Sequence, residues 1–189
     1  MLTLARALGS FVQWPSRQCR RILGGLNVSL PLGDLEAYGN WHAHDADLQL
    51  MMLRSPATAD GLPDNLEAID LEGLLKMARM QDFLRWIFMT LKAREIGRLV
   101  AIKLRAGGRI RPEVEDGAYA RYFANFLAVL ESSPGCVFIV GSRTVCMKPG
   151  ELWWVRARAK LGVRNDGATD CIYLSFDVTA PGYTGALPA

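Results

Sequence analysis

Residues 98–114 read RLVAIKLRAGGRIRPEV, and this stretch decides the fold class. Apolar residues occupy every second position from Val100 to Leu104, which is the pattern of a half-buried β-strand. Gly107-Gly108 then predicts a tight turn, because glycine adopts backbone conformations that other residues avoid. A second strand is predicted at 109–114, so the stretch indicates an antiparallel pair of strands.

Six more short strands are predicted downstream, separated by turns that contain Gly, Pro or Asn. They lie at 122–130, 137–140, 143–147, 152–155, 159–163 and 171–178. About eight short strands at this spacing are typical of an antiparallel sandwich or barrel, and eight strands in two sheets suit a jelly roll. Trp153 and Trp154 are adjacent on one strand, so we expect their side chains to point to opposite faces.

The chain upstream of the strands has a different hydrophobic pattern. Apolar residues recur every three or four positions from 70 to 92, which predicts a helix with Asp70 as its N-cap. We therefore expect an α+β protein of one domain: a helical region at 1–92, a jelly-roll core at 93–180 and a loose tail at 181–189. The helices should pack on one sheet, because an open sheet must bury its apolar face.

Composition excludes several classes of protein. The chain has 189 residues, 50% of them hydrophobic, a mean hydropathy of +0.10 and a net charge of +3. It is too apolar to be disordered and lacks the ~20 uninterrupted apolar residues of a membrane-spanning helix. Its basic residues are dispersed, so nucleic-acid binding is not expected. Four cysteines without a Cys-x-x-Cys pair indicate reduced thiols in a cytoplasmic protein.

Residues 1–33 carry four arginines and no acidic residue before Asp34. This composition loosely resembles an organelle transit peptide, but the serine content is low. An ordinary basic helix at 2–11 is the interpretation we favour.

Five segments together resemble the aspartyl/asparaginyl β-hydroxylase-like family, over about residues 95–178. They are LRAGGRIRP at 104–112, EDGAY at 115–119, SPGCVF at 133–138, MKPGELWW at 147–154 and IYLSFDV at 172–178. The resemblance implies a cupin-like double-stranded β-helix, which agrees with the jelly roll predicted from the strands. It also implies descent from oxygenases that use Fe(II) and 2-oxoglutarate.

The chain departs from that family at the positions that carry the chemistry. Its members hold iron with a His-x-Asp pair and a distal histidine; the matching positions here are Glu113, Glu115 and Leu161. The arginine that anchors 2-oxoglutarate falls at about Cys171. An Arg-x-His element of the family reads Asn125-Phe126-Leu127. Two histidines and a carboxylate are the donors that non-haem Fe(II) requires.

The resemblance and the departures together predict a pseudoenzyme: a jelly-roll protein without a catalytic residue that serves as a binding or regulatory protein. Its partner would be a small molecule or a protein. No cofactor is expected, and Fe(II) with 2-oxoglutarate would apply only if the family activity survives.

The alternative function is an active 2-oxoglutarate-dependent dioxygenase of the peptidyl Asp/Asn hydroxylase type, or another metal enzyme with rearranged ligands. Four residues are candidate metal ligands for it. Glu113 and Glu115 share one face of a strand and could bind a divalent cation or form a solvated acidic rim. His42 and His44, the only histidines in the chain, would also share a face if extended. Ordinary surface histidines are the competing interpretation for that pair.

Overall fold

The computed structural model describes residues 19–23, 30–56, 68–70, 72–115, 117–156 and 159–183. Strands in the first half of the chain lie at Cys19–Leu23 (β1), His42–Ala43 (β2), Leu48–Pro56 (β3), Ala68–Asp70 (β4) and Glu95–Leu104 (β5). Those in the second half lie at Arg109–Glu113 (β6), Ala124–Glu131 (β7), Cys136–Val140 (β8), Arg143–Val145 (β9), Leu152–Val155 (β10), Leu161–Asn165 (β11) and Cys171–Thr179 (β12). The helices are Leu32–Tyr38 (α1), Glu72–Lys76 (α2), Ala78–Leu91 (α3) and Ala118–Tyr122 (α4).

Two antiparallel sheets form a jelly roll. The large sheet has the strand order β1-β10-β7-β12-β5-β3-β2, with β4 paired to β3, and the small sheet has the order β6-β11-β8-β9. All eight strands predicted beyond residue 93 are present, with ends that differ by a few residues. The predicted α+β jelly roll is therefore confirmed.

Each face of the large sheet packs against a different layer. Its outer face meets the helices in one core, where the Phe83 ring of α3 meets Phe176 of β12 edge-on at 6.1 Å. Its inner face meets the small sheet in a second core, where Phe138 packs against Tyr173 at 5.2 Å. Trp154 packs in the helix-side core and Trp153 in the core between the sheets, as their adjacent positions predict.

The turn at Gly107-Gly108 is held in place by Asn165, which is distant in sequence. Gly107 has a φ of 84°, which favours glycine, and its N–H donates to the Asn165 carbonyl at 2.7 Å. The buried Asn165 side chain donates from Nδ2 to the carbonyls of Leu104 and Thr169, at 3.1 and 2.9 Å. The turn after β5 and the turn after β11 are thus held as one unit.

The helix predicted at 70–92 is two helices, and Asp70 is not its N-cap. Asp70 ends β4, and Met77 interrupts the helical path with an extended backbone (φ −100°, ψ 91°). Asp34 provides the missing cap from α1, because its Oδ2 accepts the backbone N–H of Arg79 at 2.7 Å and of Met80 at 3.3 Å. A carboxylate at this end of α3 also complements the helix dipole.

The expectation that residues 1–92 form a helical region differs from the structure. The described part of that region contributes β1, β2, β3 and β4 to the large sheet, so the sheet extends well upstream of residue 93. Tyr183, in the predicted tail, packs against Phe126 and Trp154. The predicted helix at 2–11 and the tail beyond 183 lie outside the described residues. No helix in the described ranges is long and apolar enough to cross a membrane.

Candidate functional site

A cavity of about 330 Å³ lies between the two sheets, at the end where β6 finishes. Strands β3, β5, β7 and β12 of the large sheet, strands β6 and β11 of the small sheet, and helix α4 all contribute to its lining. Its walls are mainly aliphatic, as at Leu50, Val100, Ile102 and Leu161. A largely apolar cavity of this size, partly open to solvent, suits a small organic molecule.

The guanidinium of Arg98, on β5, is the centre of a charged cluster in the cavity wall. Its Nε donates to Oδ2 of Asp177 at 3.2 Å, and its Nη2 donates to Oε2 of Glu115 at 2.7 Å. The Cζ atom also lies 4.3 Å from the centre of the Tyr119 ring, which is a cation–π distance. Arg98 therefore bridges two carboxylates, one on β12 and one just beyond β6.

Asp177 accepts two further hydrogen bonds, so its buried carboxylate is well paired. The Tyr119 hydroxyl donates to Oδ2 at 3.1 Å, and Asn125 Nδ2 donates to Oδ1 at 2.9 Å. The Tyr119 oxygen in turn accepts the backbone N–H of Arg98 at 2.7 Å. The cluster joins three neighbouring strands, β5, β12 and β7, to helix α4.

Burial and charge shift the pKa values of this cluster in definite directions. Burial raises the pKa of Asp177, against the opposing effect of the nearby Arg98 guanidinium. Burial also raises the pKa of the Tyr119 hydroxyl, and the Asp177 carboxylate adds to that rise. Burial alone would lower the pKa of Arg98, but Asp177 and Glu115 outweigh it and raise the pKa. Arg98 and Tyr119 therefore keep their protons throughout the physiological range.

Glu113 and Glu115 both line the cavity; Glu113 ends β6 and Glu115 lies two residues beyond it. Strand β6 contains a bulge between Ile110 and Glu113. Val163 pairs with Ile110 and Leu161 with Glu113, so three steps along β6 match two along β11. The extra residue lets Ile110 and Glu113 both face the cavity. Glu113 and Glu115 are both exposed to solvent at its rim.

His42 and His44 lie elsewhere. His42 belongs to β2, at the edge of the large sheet, and His44 lies in the bend that follows; both are exposed, and neither lines the cavity. Over the described ranges, no group of three or more His, Cys, Asp or Glu side chains is arranged to hold a metal ion. Both glutamates thus line the cavity, and neither histidine does.

The other positions singled out in the sequence hold neither histidine nor arginine. Leu161 and Asn125 line the cavity, while Leu127 and Cys171 are buried in the core between the sheets. The Cys171 thiol interacts with the Cys136 thiol, and this contact together with burial raises the pKa of Cys171. Cys19, Cys136 and Cys171 are buried free thiols, whereas Cys146 is exposed.

The donor set does not fit Fe(II) and 2-oxoglutarate. The described residues that line the cavity include three carboxylates and no imidazole, and two of the carboxylates, Glu115 and Asp177, are already paired with the Arg98 guanidinium. The Arg98 guanidinium already forms ion pairs with both Glu115 and Asp177, so it would repel a cation that approached Glu115.

Arg98, Tyr119 and Asp177 were not predicted from the sequence. A weak signal was present, because Arg98 continues the inward-facing series of Val100 and Ile102. A charged residue at an inward position of a strand is unusual and indicates a buried partner.

Comparison with known proteins supports the fold and is silent on the site. No protein-family model matches the chain, and no curated protein matches it in sequence. Among solved structures, an oxidoreductase of the 2OG-Fe(II) oxygenase family from Burkholderia pseudomallei matches with a TM-score of 0.55 and 16% identity, over 84% of this chain and 82% of that one.

Two further structures are more distant. KdgF from a Halomonas species has a TM-score of 0.45 and 9% identity, over 75% of this chain and 89% of its own. A protein with a double-stranded β-helix domain from Klebsiella pneumoniae has a TM-score of 0.37 and 15% identity, over 44% of this chain and 68% of its own. The Burkholderia match shows that the chain has the fold of a 2OG-Fe(II) oxygenase, the cupin-like double-stranded β-helix, at an identity that says nothing of activity.

Proposed function

We propose that the protein is a degenerate member of the aspartyl/asparaginyl β-hydroxylase-like group that binds a small molecule in its jelly-roll cavity and has no Fe(II)/2-oxoglutarate oxygenase activity. The observation that carries this proposal is the position of Arg98. Its guanidinium is paired with both Glu115 and Asp177 in the cavity wall.

The coordination chemistry supports the loss of oxygenase activity. Leu161 has no donor atom, and Glu113 and Glu115 offer only oxygen, which suits Mg²⁺ or Mn²⁺ better than Fe(II). Without an arginine at Cys171, the family's anchor for the second carboxylate of 2-oxoglutarate is missing. The alternative metal enzyme would need His42 or His44 beside Glu113, and both histidines are exposed and outside the cavity lining.

The cavity itself supports a binding role. It is lined by aliphatic side chains from both sheets and by charged side chains, which include Arg111 and Arg156 as well as the Arg98 cluster. Such a site gains affinity by burying apolar surface and gains orientation from a few polar groups. A binding or regulatory protein needs no more than this.

The experiment is an iron-loading and turnover assay. The purified protein is incubated anaerobically with Fe(II), its metal content is measured, and succinate formation from 2-oxoglutarate is followed after oxygen is admitted. We expect neither stoichiometric iron nor succinate. The variant E113H/L161H, which places imidazoles at both family positions, is the matched control for iron uptake. Stoichiometric iron with succinate production by the unmodified protein would refute the proposal.

A further inference from the structure

Two oppositely charged side chains at the rim of the cavity have no partner among the described residues. Arg111 and Glu113 lie two residues apart on β6, and both are exposed and line the cavity. Within the described part of the chain neither forms a hydrogen bond or an ion pair, and they do not pair with each other. We call Arg111 and Glu113 the rim pair. The inference drawn from it rests on the proposed binding function.

The other charged groups of the lining are already paired or less accessible. Arg98 forms ion pairs with both Glu115 and Asp177. Arg156 is half-buried, and its Nη2 atom is inaccessible to solvent. An entering molecule can therefore bind the exposed rim pair without breaking an existing ion pair.

The formal charges of the described lining residues sum to zero. Three of these residues carry a guanidinium group and three carry a carboxylate: Arg98, Arg111, Arg156, Glu113, Glu115 and Asp177. A ligand with a net charge would leave one charge without a counter-charge in a partly desolvated site, which is costly. A ligand with one positive and one negative group provides a partner for each member of the rim pair and keeps the site neutral.

The spacing of the rim pair restricts the distance between the two charges of the ligand. Two residues along a strand span roughly 6–7 Å. A guanidinium and a carboxylate this close on one strand can be bound at the same time by a ligand whose own charges are a few atoms apart. An α-amino acid carries its ammonium and carboxylate groups on one carbon atom. Each of these groups can form charge-assisted hydrogen bonds, and a carboxylate also matches the forked donors of a guanidinium.

The lining also offers apolar surface that a ligand can reach. Met52 is 38% exposed although it lines the cavity. Leu50, Ile110 and Leu161 are half-buried and line it as well. These side chains come from both sheets, so an apolar group that enters the cavity gains contacts on two sides. Burial of that group against them supplies affinity that the charges at the rim do not.

We propose that the cavity binds an α-amino acid with a large apolar side chain. Arg111 binds the carboxylate of the ligand, and Glu113 binds its ammonium group. The apolar side chain of the ligand enters the cavity of about 330 Å³ and lies against residues such as Met52 and Ile110.

The test uses three probes that share a phenyl ring and differ in their charged groups. L-Phenylalanine carries both groups, 3-phenylpropanoate lacks the ammonium group, and 2-phenylethylamine lacks the carboxylate. Affinities are measured at pH 7 by titration calorimetry with the full chain. We expect L-phenylalanine to bind at least about tenfold more tightly than either of the other two, which equals about 1.4 kcal/mol.

Two variants assign each charge of the ligand to one member of the rim pair. With R111Q, L-phenylalanine should bind no more tightly than 2-phenylethylamine, because its carboxylate has lost its partner. With E113Q, it should bind no more tightly than 3-phenylpropanoate, because its ammonium group has lost its partner. Arg109→Gln and Glu36→Gln make the same changes at exposed positions outside the lining and should leave the affinity for L-phenylalanine unchanged. Circular dichroism establishes that each variant is folded.

Several outcomes overturn the inference. Equal binding of the three probes to the unmodified protein, or tighter binding of 3-phenylpropanoate than of L-phenylalanine, would refute the amino-acid assignment and leave the binding function standing. Binding of none of the probes would also refute the assignment. Because the probe comparison uses the unmodified protein, the test holds even if a variant does not fold. Succinate production in the turnover assay would instead refute the proposed function.

Discussion

Replacement of Arg98 by methionine tests whether the guanidinium is the charge partner that keeps Asp177 ionised in the cavity wall. Methionine keeps an unbranched apolar stem of similar length, so most packing is retained. The substitution removes the contacts to Asp177 at 3.2 Å and to Glu115 at 2.7 Å. The Asp177 carboxylate, whose side chain is 6% exposed, is left with the Tyr119 and Asn125 bonds alone.

The expected cost comes mainly from Asp177. Removal of one partner from a buried ion pair costs about 3–5 kcal/mol. Two donors to Asp177 remain and the Arg98 side chain is 30% exposed; these reduce the expected loss to about 2–3 kcal/mol at pH 7. Glu115 is 61% exposed, so its separate contribution is less than about 1 kcal/mol.

The pH dependence supplies a signature that simple packing loss would not give. Burial already raises the pKa of Asp177, and without Arg98 the pKa rises further. The pKa of Asp177 is about 3.9 in the unfolded chain and higher in the folded protein. Between these two pH values folding takes up a proton, so the stability of the protein falls as the pH rises through that window. The cost of R98M should therefore be large at pH 7 and smaller near pH 4.5.

The assay is urea unfolding of the unmodified protein, R98M, D177N and the double variant at both pH values. We expect the double variant at pH 7 to be more stable than the sum of the two single losses predicts, because D177N removes the charge that R98M leaves unpaired. A cost of R98M below about 0.5 kcal/mol, an equal cost at both pH values, or strict additivity would refute the reasoning.

Three further predictions concern the frame around the cavity. Asn165→Ala should cost about 2–3 kcal/mol in urea unfolding, since it removes the side-chain hydrogen bonds to the carbonyl of buried Leu104 and to that of Thr169; a loss under ~0.5 kcal/mol would contradict this. Gly162→Ala should cost about 1–3 kcal/mol, because its Cβ would lie 2.8 Å from the Pro112 nitrogen, and an unchanged urea midpoint would be the contrary result. Burial alone would raise the pKa of Glu151, but hydrogen bonds, including one from Arg21 at 2.8 Å, lower it. The contribution of ionised Glu151 to stability is therefore present above its pKa in the unfolded chain, near 4.3, and is lost as the pH falls through its lower pKa in the folded protein. Thermal melts of E151Q should lack this loss of stability in acid.

The strands after residue 93 were predictable because their signal is local. Period-two alternation marks β5, and Gly, Pro or Asn turns delimit the short apolar segments of the later strands, without reference to the rest of the chain. The strand β3 gave no such signal. Leu50 faces the cavity while Met51 and Leu53 face the helices, so both faces are covered and the sequence does not alternate. A strand that is buried on both faces has apolar residues at successive positions, so its sequence pattern resembles that of a buried helix or of an irregular apolar segment.

The break in the helix at Met77 and the residue that caps α3 also could not be predicted from the local sequence. The apolar periodicity continues across 70–92, and no proline or glycine marks residue 77. The residue that caps α3 is Asp34, 45 positions earlier in the chain. A cap supplied by another element leaves no trace near the helix that it stabilises.

By itself, the sequence determined the strand pattern of the jelly roll and the absence of any histidine after His44, because each depends only on residue types and their local order. It also indicated that Glu113 and Glu115 share a face. Only the tertiary structure decided what that face meets. Arg98 and Asp177 are 79 positions apart, and strand pairing across the large sheet brings them together. Local periodicity shows that a residue points inward but cannot show its partner, so the guanidinium beside Glu115 emerged only from the fold.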